Sequence, residues 1–455
     1  MMEAMSVLRV LGEYVHGASY ADLPIESVEC AQVRLLDYLG TAFHASCAAP
    51  WRPMLKVFSG YARAEEATVI GERVKLPCAW AAMLNTYPHM SEGSRTSGGH
   101  CAWIAMPAAL AVAERQSARA ALSGRDMLLA IVLAYEVMLR VGEAIYPEVH
   151  ERGFHPTTVR GPLGSAVIAS KLLGLDEEAT VQALSIACSM GGGLEAGGSP
   201  WPFYCFQTGR ATEAGIWAAL AAAEGLKGNE RILEEGFLEA FGGRGEPEQI
   251  VADLGRRRPA IETTYIKIHF GCRHANAPVD TCLDLMRKHR LGWQEIEAIN
   301  VTSYPTALSI CDRVGARGRD EAIYDMRTML ALAVVHGDAS MRRFTEETIA
   351  SPPVQEVVRR IKLRADPEME KDFPRKWPSA VEVRTKDGRT LSHTRDLPRG
   401  EPEDPFSTQE VEEKFHALAS SALNEGTRLE LLELIHTLPE RDALADLFTL
   451  LGRRD

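Results

Sequence analysis

The 455-residue sequence has no hydrophobic run long enough for a membrane span, no paired-cysteine motif and no nucleotide-binding signature. Its most apolar run, Met127 to Tyr135, is nine residues long, against the roughly twenty that a helix needs to cross a bilayer. The opening MMEAMSVLRVLGEYVHG lacks the basic start and apolar stretch of a secretory leader. No membrane role is expected. The nine cysteines are scattered singly, with no C-x-x-C pair, which argues against a disulfide framework and a structural zinc knot and predicts reduced thiols in a cytoplasmic protein. H-E-x-x-H is missing, and His89, His100, His155 and Cys272 fit no local ligand spacing, so no metal is expected. G-x-G-x-x-G and G-x-x-x-x-G-K-[ST] are also missing, which disfavours a nucleotide cofactor. A formal charge of −12 argues against nucleic acid as a partner, and the one basic cluster, Arg256-Arg257-Arg258, reads as a solvated loop.

What remains is the composition of an ordinary soluble enzyme, with 46% hydrophobic and 25% charged residues, in a chain long enough for two or three domains. Helical patterns dominate up to about residue 260. VECAQVRLLDYLGTAF places Val28, Val33, Leu35, Leu36 and Leu39 near one face, and GRDMLLAIVLAYEVMLRVGEAI is apolar almost all round, as a helix buried in a bundle would be. PLGSAVIASKLLGL, EEATVQALSIACSM and ATEAGIWAALAAAEGL predict further helices, the first and third ending in a glycine break. The texture then changes. Ile299, Val301 and Ser303 alternate with polar neighbours, IKLRAD reads as a strand, and VEVRTKDGRTLSH carries a K-D-G turn between alternating runs, a hairpin signal. Helices return from about Ser407, and RGEPEDPF near residue 400 reads as a linker. The expected architecture is mainly α: a large all-helical domain over 1–265 plus 398–455, with a smaller α+β domain inserted over 266–397 and a ligand cleft between them.

Four segments combine turn residues with titratable side chains: HMSEGSRTSGGH (89–100), RGFHPTTVRGPLG (152–164), GGGLEAGGSPWPFYCFQTGRATEAG (191–215) and YIKIHFGCRHANAPVD (265–280). In the second, His155 and Arg160 sit at a loop and helix entry, where an imidazole with a near-neutral pKa can exchange protons and helix N–H groups can receive an anion. In the fourth, Lys267, Arg273 and His274 gather positive charge within eight residues. Cys272 could serve as a nucleophile, but its context identifies no partner base.

In order and spacing these segments resemble the MmgE/PrpD family, which includes 2-methylcitrate dehydratase, cis-aconitate decarboxylase and iminodisuccinate epimerase. The resemblance runs through LDYLGTAF, ATVIG, the histidine-bracketed loop with MPAALAVAE, RGFHPTTVRGPLGSAVIASKLLGL, GRATEAG, the K-x-x-x-x-C-R-H run, YPTAL, FTEET and EVEEKFHALA. It implies a homodimer without metal or cofactor, performing lyase or isomerase chemistry on a small di- or tricarboxylate. With the loop two residues shorter than in relatives, His89, Glu92, Thr96, His100 and Pro107 take the family's loop positions; an ungapped match would put Met90 and Ser94 at two of them. His155 matches the family's catalytic histidine and Lys267 its lysine. Three positions depart: Tyr204 replaces a lysine, Cys272 stands where the decarboxylase has a histidine, and Thr328 stands where tyrosine is common. Decarboxylation of cis-aconitate is therefore disfavoured.

The chemistry of the class requires a base for a Cα proton, cations to hold the aci-carboxylate, and an acid for the departing group. The resemblance makes His155 the base, His100 or Tyr204 the acid, Lys267 and Arg273 the anion clamps, and Glu92 the residue that orients a histidine. Arg95, Thr96, Arg160, Cys272, Arg273, His274 and Thr328 complete the expected binding set, with Arg95 either replacing the lysine lost at 204 or pairing with Glu92 at the surface. The leading expectation is a hydro-lyase on a hydroxylated polycarboxylate. The alternatives are an epimerase of an iminodisuccinate-like compound and a ligand-binding family member without turnover. The apolar surfaces of 126–145 and 211–226 are the expected dimer contacts.

Overall fold

The computed structural model describes residues 5–48, 51–87, 92–198, 200–242, 246–313, 315–316 and 318–455. The fold is mainly helical, and the chain divides into two compact units, Met1–Thr264 with Ser407–Asp455, and Tyr265–Phe406.

The first unit is built on six long helices, α1 (Ile25–Ala48), α2 (Ala102–Ser117), α3 (Gly124–Ile145), α4 (Pro156–Leu173), α5 (Glu177–Cys188) and α6 (Trp201–Ala223). Ser123 starts α3 through a capping box, accepting from the Asp126 N–H while the Asp126 carboxylate accepts from the Ser123 N–H at 2.8 Å. Of the 22 residues in α3, 18 are buried inside this unit. This corrects the expectation that α3 lends apolar surface to a dimer. Its two buried charges are satisfied internally: Arg140 Nε donates to Glu136 at 2.5 Å and the other guanidinium nitrogens donate to the Ile250, Ala252 and Asp253 carbonyls.

Helix α4 begins at Pro156, whose ring presets φ for the first helical position, and ends at Gly174, where φ is 68°. Pro162 inside the helix has no N–H to offer the Thr158 carbonyl; that carbonyl instead accepts from the Gly192 N–H at 3.3 Å, tying the glycine-rich segment to the start of α4. Helix α6 crosses α4 with backbone against backbone, since a Cβ at Gly215 would lie 2.0 Å from the Pro162 carbonyl oxygen. The helix Thr408–Ala419 closes on α1, where Lys414 and Asp37 form a buried ion pair.

The second unit contains α7 (Asn276–His289), β1 (Ile296–Ser303), α8 (Pro305–Cys311), α9 (Met326–His336), β2 (Ile361–Ala365), β3 (Ser379–Thr385) and β4 (Thr390–Arg395). Its sheet has the order β2-β1-β3-β4, with β1 and β2 parallel and the other pairs antiparallel. Ile299, Val301 and Ser303 point inward from β1, and α7 packs on β3 and β4. The β3–β4 turn has Gly388 at φ 90°, the conformation that the K-D-G signal called for. The unit extends to Phe406 rather than 397 because the expected linker is built into it: Ile266 N–H donates to the Gly400 carbonyl at 3.0 Å, and buried Glu401 pairs with Arg273 at 2.8 Å.

Candidate active site

Within the first unit, the loop after Glu92, the start of α2, the start of α4 and the first turn of α6 bring a set of titratable and aromatic side chains together. His155 is the N-cap residue of α4, only 4% exposed, and its Nε2 lies 2.7 Å from the hydroxyl of buried Tyr204. Burial pushes the His155 imidazole down to about 4, which corrects the expectation of a near-neutral value. The ring is therefore uncharged at physiological pH, and its Nδ1 has no partner among the described residues. Trp103 meets the Tyr204 ring edge-on at 5.9 Å and stacks on His100 at 3.6 Å between ring centroids. His100 Nδ1 lies 2.5 Å from the Glu92 carbonyl oxygen. A carbonyl can only accept, so Nδ1 carries the hydrogen.

The loop owes its course to two glycines. Gly98 and Gly99 adopt φ of 58° and 69°, where a Cβ at Gly99 would lie 2.5 Å from Thr157 Oγ1 and one at Gly98 would lie 2.6 Å from the Tyr146 ring. The Thr157 hydroxyl accepts from the His100 backbone N–H at 2.9 Å. Arg160 is fully enclosed, and its two terminal nitrogens donate to the Ser97 carbonyl at 2.6 Å and the Gly98 carbonyl at 2.5 Å. The guanidinium expected to clamp substrate instead braces the loop. Glu92 also has a different role from the expected one. Its carboxylate is sealed inside and accepts from the Ala102 N–H at 2.5 Å, capping α2, while its backbone carbonyl orients His100. Burial pushes the Glu92 carboxyl up. Because Glu92 is enclosed, a surface pair with half-buried Arg95 is ruled out. Thr96 is exposed and donates to Glu143 at 3.1 Å, and Glu143 pairs with Arg257 at 3.2 Å, so Arg257 of the basic cluster belongs to a network that the reading as a solvated loop missed. His89 and Met90 lie outside the described residues.

Lys267, Cys272, Arg273, His274 and Thr328 belong to the second unit and meet one another's neighbours there. Lys267 is buried and donates to the Gly271 carbonyl at 3.3 Å. Arg273 donates to Glu401 at 2.8 Å, to the Arg399 carbonyl at 3.0 Å and to Asn276 at 3.2 Å, and its guanidinium lies 4.2 Å over the Tyr265 ring. The expected clamp is thus neutralised by its own buried partner. His274 stacks on Trp377 at 4.4 Å with Nδ1 at 2.5 Å from the Tyr304 hydroxyl. Thr328 is not at a binding surface. It is buried and its hydroxyl and N–H both donate to Asp325, the N-cap of α9. Cys272 is half-buried.

The family model of the MmgE/PrpD N-terminal domain matches residues 9–250, and that of the C-terminal domain matches 269–439. The chain belongs to the MmgE/PrpD family. Similar curated members are the cis-aconitate decarboxylases of Aspergillus terreus, 26% identical across 97% of this chain and 95% of the relative, and of Homo sapiens, 26% identical across 99% and 95%. The cis-aconitate decarboxylase-like protein oryM of Aspergillus oryzae is 27% identical across 91% of this chain and 90% of its own length.

Sequence reasoning missed four participants on this MmgE/PrpD scaffold. Trp103, three residues after His100, and Thr157, two after His155, were visible as neighbours of the motifs but not as partners. The others are Glu195 and His150, whose carboxylate and Nδ1 lie 3.6 Å apart. An antiparallel bridge between Phe154 and Leu194, with the His155 N–H donating to the Gly193 carbonyl at 3.0 Å, brings their segments together. Although burial pushes its pKa up, Glu195 is held below its ordinary value by its hydrogen bond with His150. Among the described residues, no three His, Cys, Asp or Glu side chains converge to hold a metal ion, and no helix is long and apolar enough to cross a membrane.

Proposed function

We propose that the chain is a cofactor-independent lyase that removes water from a hydroxylated di- or tricarboxylate after abstracting the proton next to a carboxylate. The observation that carries this reading is the buried contact between uncharged His155 and the Tyr204 hydroxyl. A neutral imidazole can receive a Cα proton, and burial of a bound carboxylate beside it would raise its proton affinity at the moment of transfer. Tyr204 is then placed to give its proton to the departing hydroxyl. Both groups start uncharged, so neither must be discharged before the reaction begins. His100, its Nδ1 held by the Glu92 carbonyl and its ring stacked on Trp103, is the further group assigned to the substrate.

The decarboxylase relatives support a lyase acting on a tricarboxylate. The tyrosine at 204 and the threonine at 328, which is committed to a helix cap, favour dehydration over loss of carbon dioxide. The nine free thiols support a reducing, cytoplasmic setting. A homodimer would use the exposed stripe of α6, where Phe203 and Trp217 stand at 49% and 42% exposure, and not α3. Incubating the protein with citrate, methylcitrate and tartrate-like substrates in deuterium oxide tests the reading. Deuterium at Cα with an absorbing conjugated alkene acid is the expected result. Deuterium without the alkene would mean epimerisation, carbon dioxide release would mean decarboxylation, and thermal stabilisation with neither would mean binding alone; each of these overturns the proposal.

A further inference from the structure

Cys272 lies between Lys267 and His274 in a turn whose backbone is tightly held. Its N–H donates to the Ile323 carbonyl at 2.8 Å, and the preceding Gly271 adopts φ 92°, where a Cβ would lie 2.7 Å from that same oxygen. Arg273 and His274 on the following turn are fixed by Glu401 and by Tyr304 and Trp377. Helix α8 packs on this turn and ends in Cys311, whose thiol lies beside the Cys272 thiol. The two sulfurs therefore face each other from two anchored backbones, and they differ in access: Cys272 is half-buried and Cys311 is buried.

We propose that Cys272 and Cys311 are a redox pair, closed to a disulfide by hydrogen peroxide. The Cys272 sulfur attacks one peroxide oxygen, forming an S–O bond as the O–O bond breaks, and the departing hydroxide takes up the thiol proton as water. The Cys311 sulfur then attacks the Cys272 sulfur, forming the S–S bond as the S–O bond breaks. The second hydroxide leaves with the Cys311 proton as water. Two thiols are oxidised and one peroxide is reduced to two waters. The order follows from access: Cys272 is half-buried and Cys311 is buried, so Cys272 meets the oxidant first and Cys311 resolves it. Closure covalently fastens the turn carrying Arg273 and His274 to the end of α8. This inference does not depend on which carboxylate the enzyme uses.

The test is treatment of the intact chain with dilute hydrogen peroxide, followed by non-reducing peptide mass spectrometry. The expected result is a linked Cys272–Cys311 peptide pair, two hydrogens lighter than the separate thiols and reversed by dithiothreitol. In Cys311→Ala the link is lost and Cys272 proceeds to the sulfinic acid, because the resolving thiol is gone. In Cys272→Ser, which changes a half-buried side chain and keeps the fold, Cys311 stays a thiol under the same exposure. Sulfinic acid at Cys272 of the unaltered chain without any linked peptide would overturn the proposal, as would oxidation of Cys311 in Cys272→Ser.

Discussion

The two titratable clusters of this protein use their polar groups in opposite ways. In the second unit, carboxylates meet basic side chains: Glu401 faces Arg273, and Asp280 lies 3.0 Å from His269. Although burial pushes its pKa up, the Asp280 carboxyl is held below its ordinary value by His269, the Arg399 N–H and Arg273. In the first unit's cluster, uncharged His155 meets the Tyr204 hydroxyl and His100 meets a backbone carbonyl. A buried ion pair fixes a fold and resists change, whereas neutral acids and bases in contact can trade protons without losing a partner charge. The richer concentration of charge in the sequence is therefore the more structural of the two clusters.

The sharpest way to break this contrast is to substitute one member of each. His155→Asn should lower turnover by about 10²- to 10⁴-fold with little change in melting temperature, since general-base assistance is what it removes. Arg273→Met should do the reverse in kind, destabilising the protein by about 3–5 kcal/mol because it strands the buried Glu401 carboxylate. Paired measurements of turnover and thermal unfolding check both. If the two variants behaved alike, the division between a reacting cluster and a structural one would fail.

Acid should reveal the same difference through His155. Its folded value is about 4 against an ordinary 6.5, so between these values the unfolded chain binds a proton that the folded chain refuses. Its contribution to stability is complete above about pH 6.5 and falls as the pH drops toward 4, amounting to about 3 kcal/mol. Denaturant titrations of the unaltered chain and His155→Asn, similar at neutral pH, should diverge as the pH falls through this window, the unaltered chain losing stability that the variant keeps. The acid limb of kcat/KM, which reports the free enzyme, should likewise lie near 4 and not near 6.5.

A smaller effect is expected where the loop meets α4. Gly99→Ala puts a side chain at φ 69° and within 2.5 Å of Thr157 Oγ1, at a cost of about 2 kcal/mol. Displacing Thr157 also releases the His100 backbone, so kcat should fall along with the melting temperature.

Local signals in the sequence were legible because they concern a residue and its near neighbours. Gly174 ends α4, Gly388 turns the β3–β4 hairpin, and the alternation through Ile299, Val301 and Ser303 gives the buried face of β1. Motif spacing also brought His155, His100 and Tyr204 to attention. What could not be read was where each charge finds its partner. Arg160 and Arg273 have the side chain of an anion clamp, but the Gly98 carbonyl lies 62 residues from one and Glu401 lies 128 residues from the other. Glu401 itself sits in a stretch whose prolines and acids look like a linker, although burial and pairing make it part of the fold. Pattern identifies the type of side chain available at a position; tertiary structure decides whether its hydrogen-bonding capacity is left for a ligand.

The smallest test compares two threonines that motif position alone treats alike. Thr328 has its hydroxyl and N–H on the buried Asp325 carboxylate, at the first turn of α9. Thr328→Val keeps the shape but removes the hydroxyl donor, leaving that carboxylate with the backbone N–H bond alone, and should cost about 1 kcal/mol. Thr96 is exposed, and its hydroxyl reaches Glu143 at 3.1 Å, where Arg257 already pairs with the same carboxylate at 3.2 Å. Water can replace that hydroxyl, so Thr96→Val should change stability by no more than a few tenths of a kcal/mol. If Thr96 contacts substrate as its position in the loop suggests, KM should rise in Thr96→Val while the melting temperature holds, whereas Thr328→Val should lower the melting temperature and leave KM unchanged. A fall in stability for Thr96→Val with an unaltered KM would make the Thr96–Glu143–Arg257 network a structural brace like the charge pairs of the second unit, and would confine the reacting cluster to His155, Tyr204, His100 and Trp103.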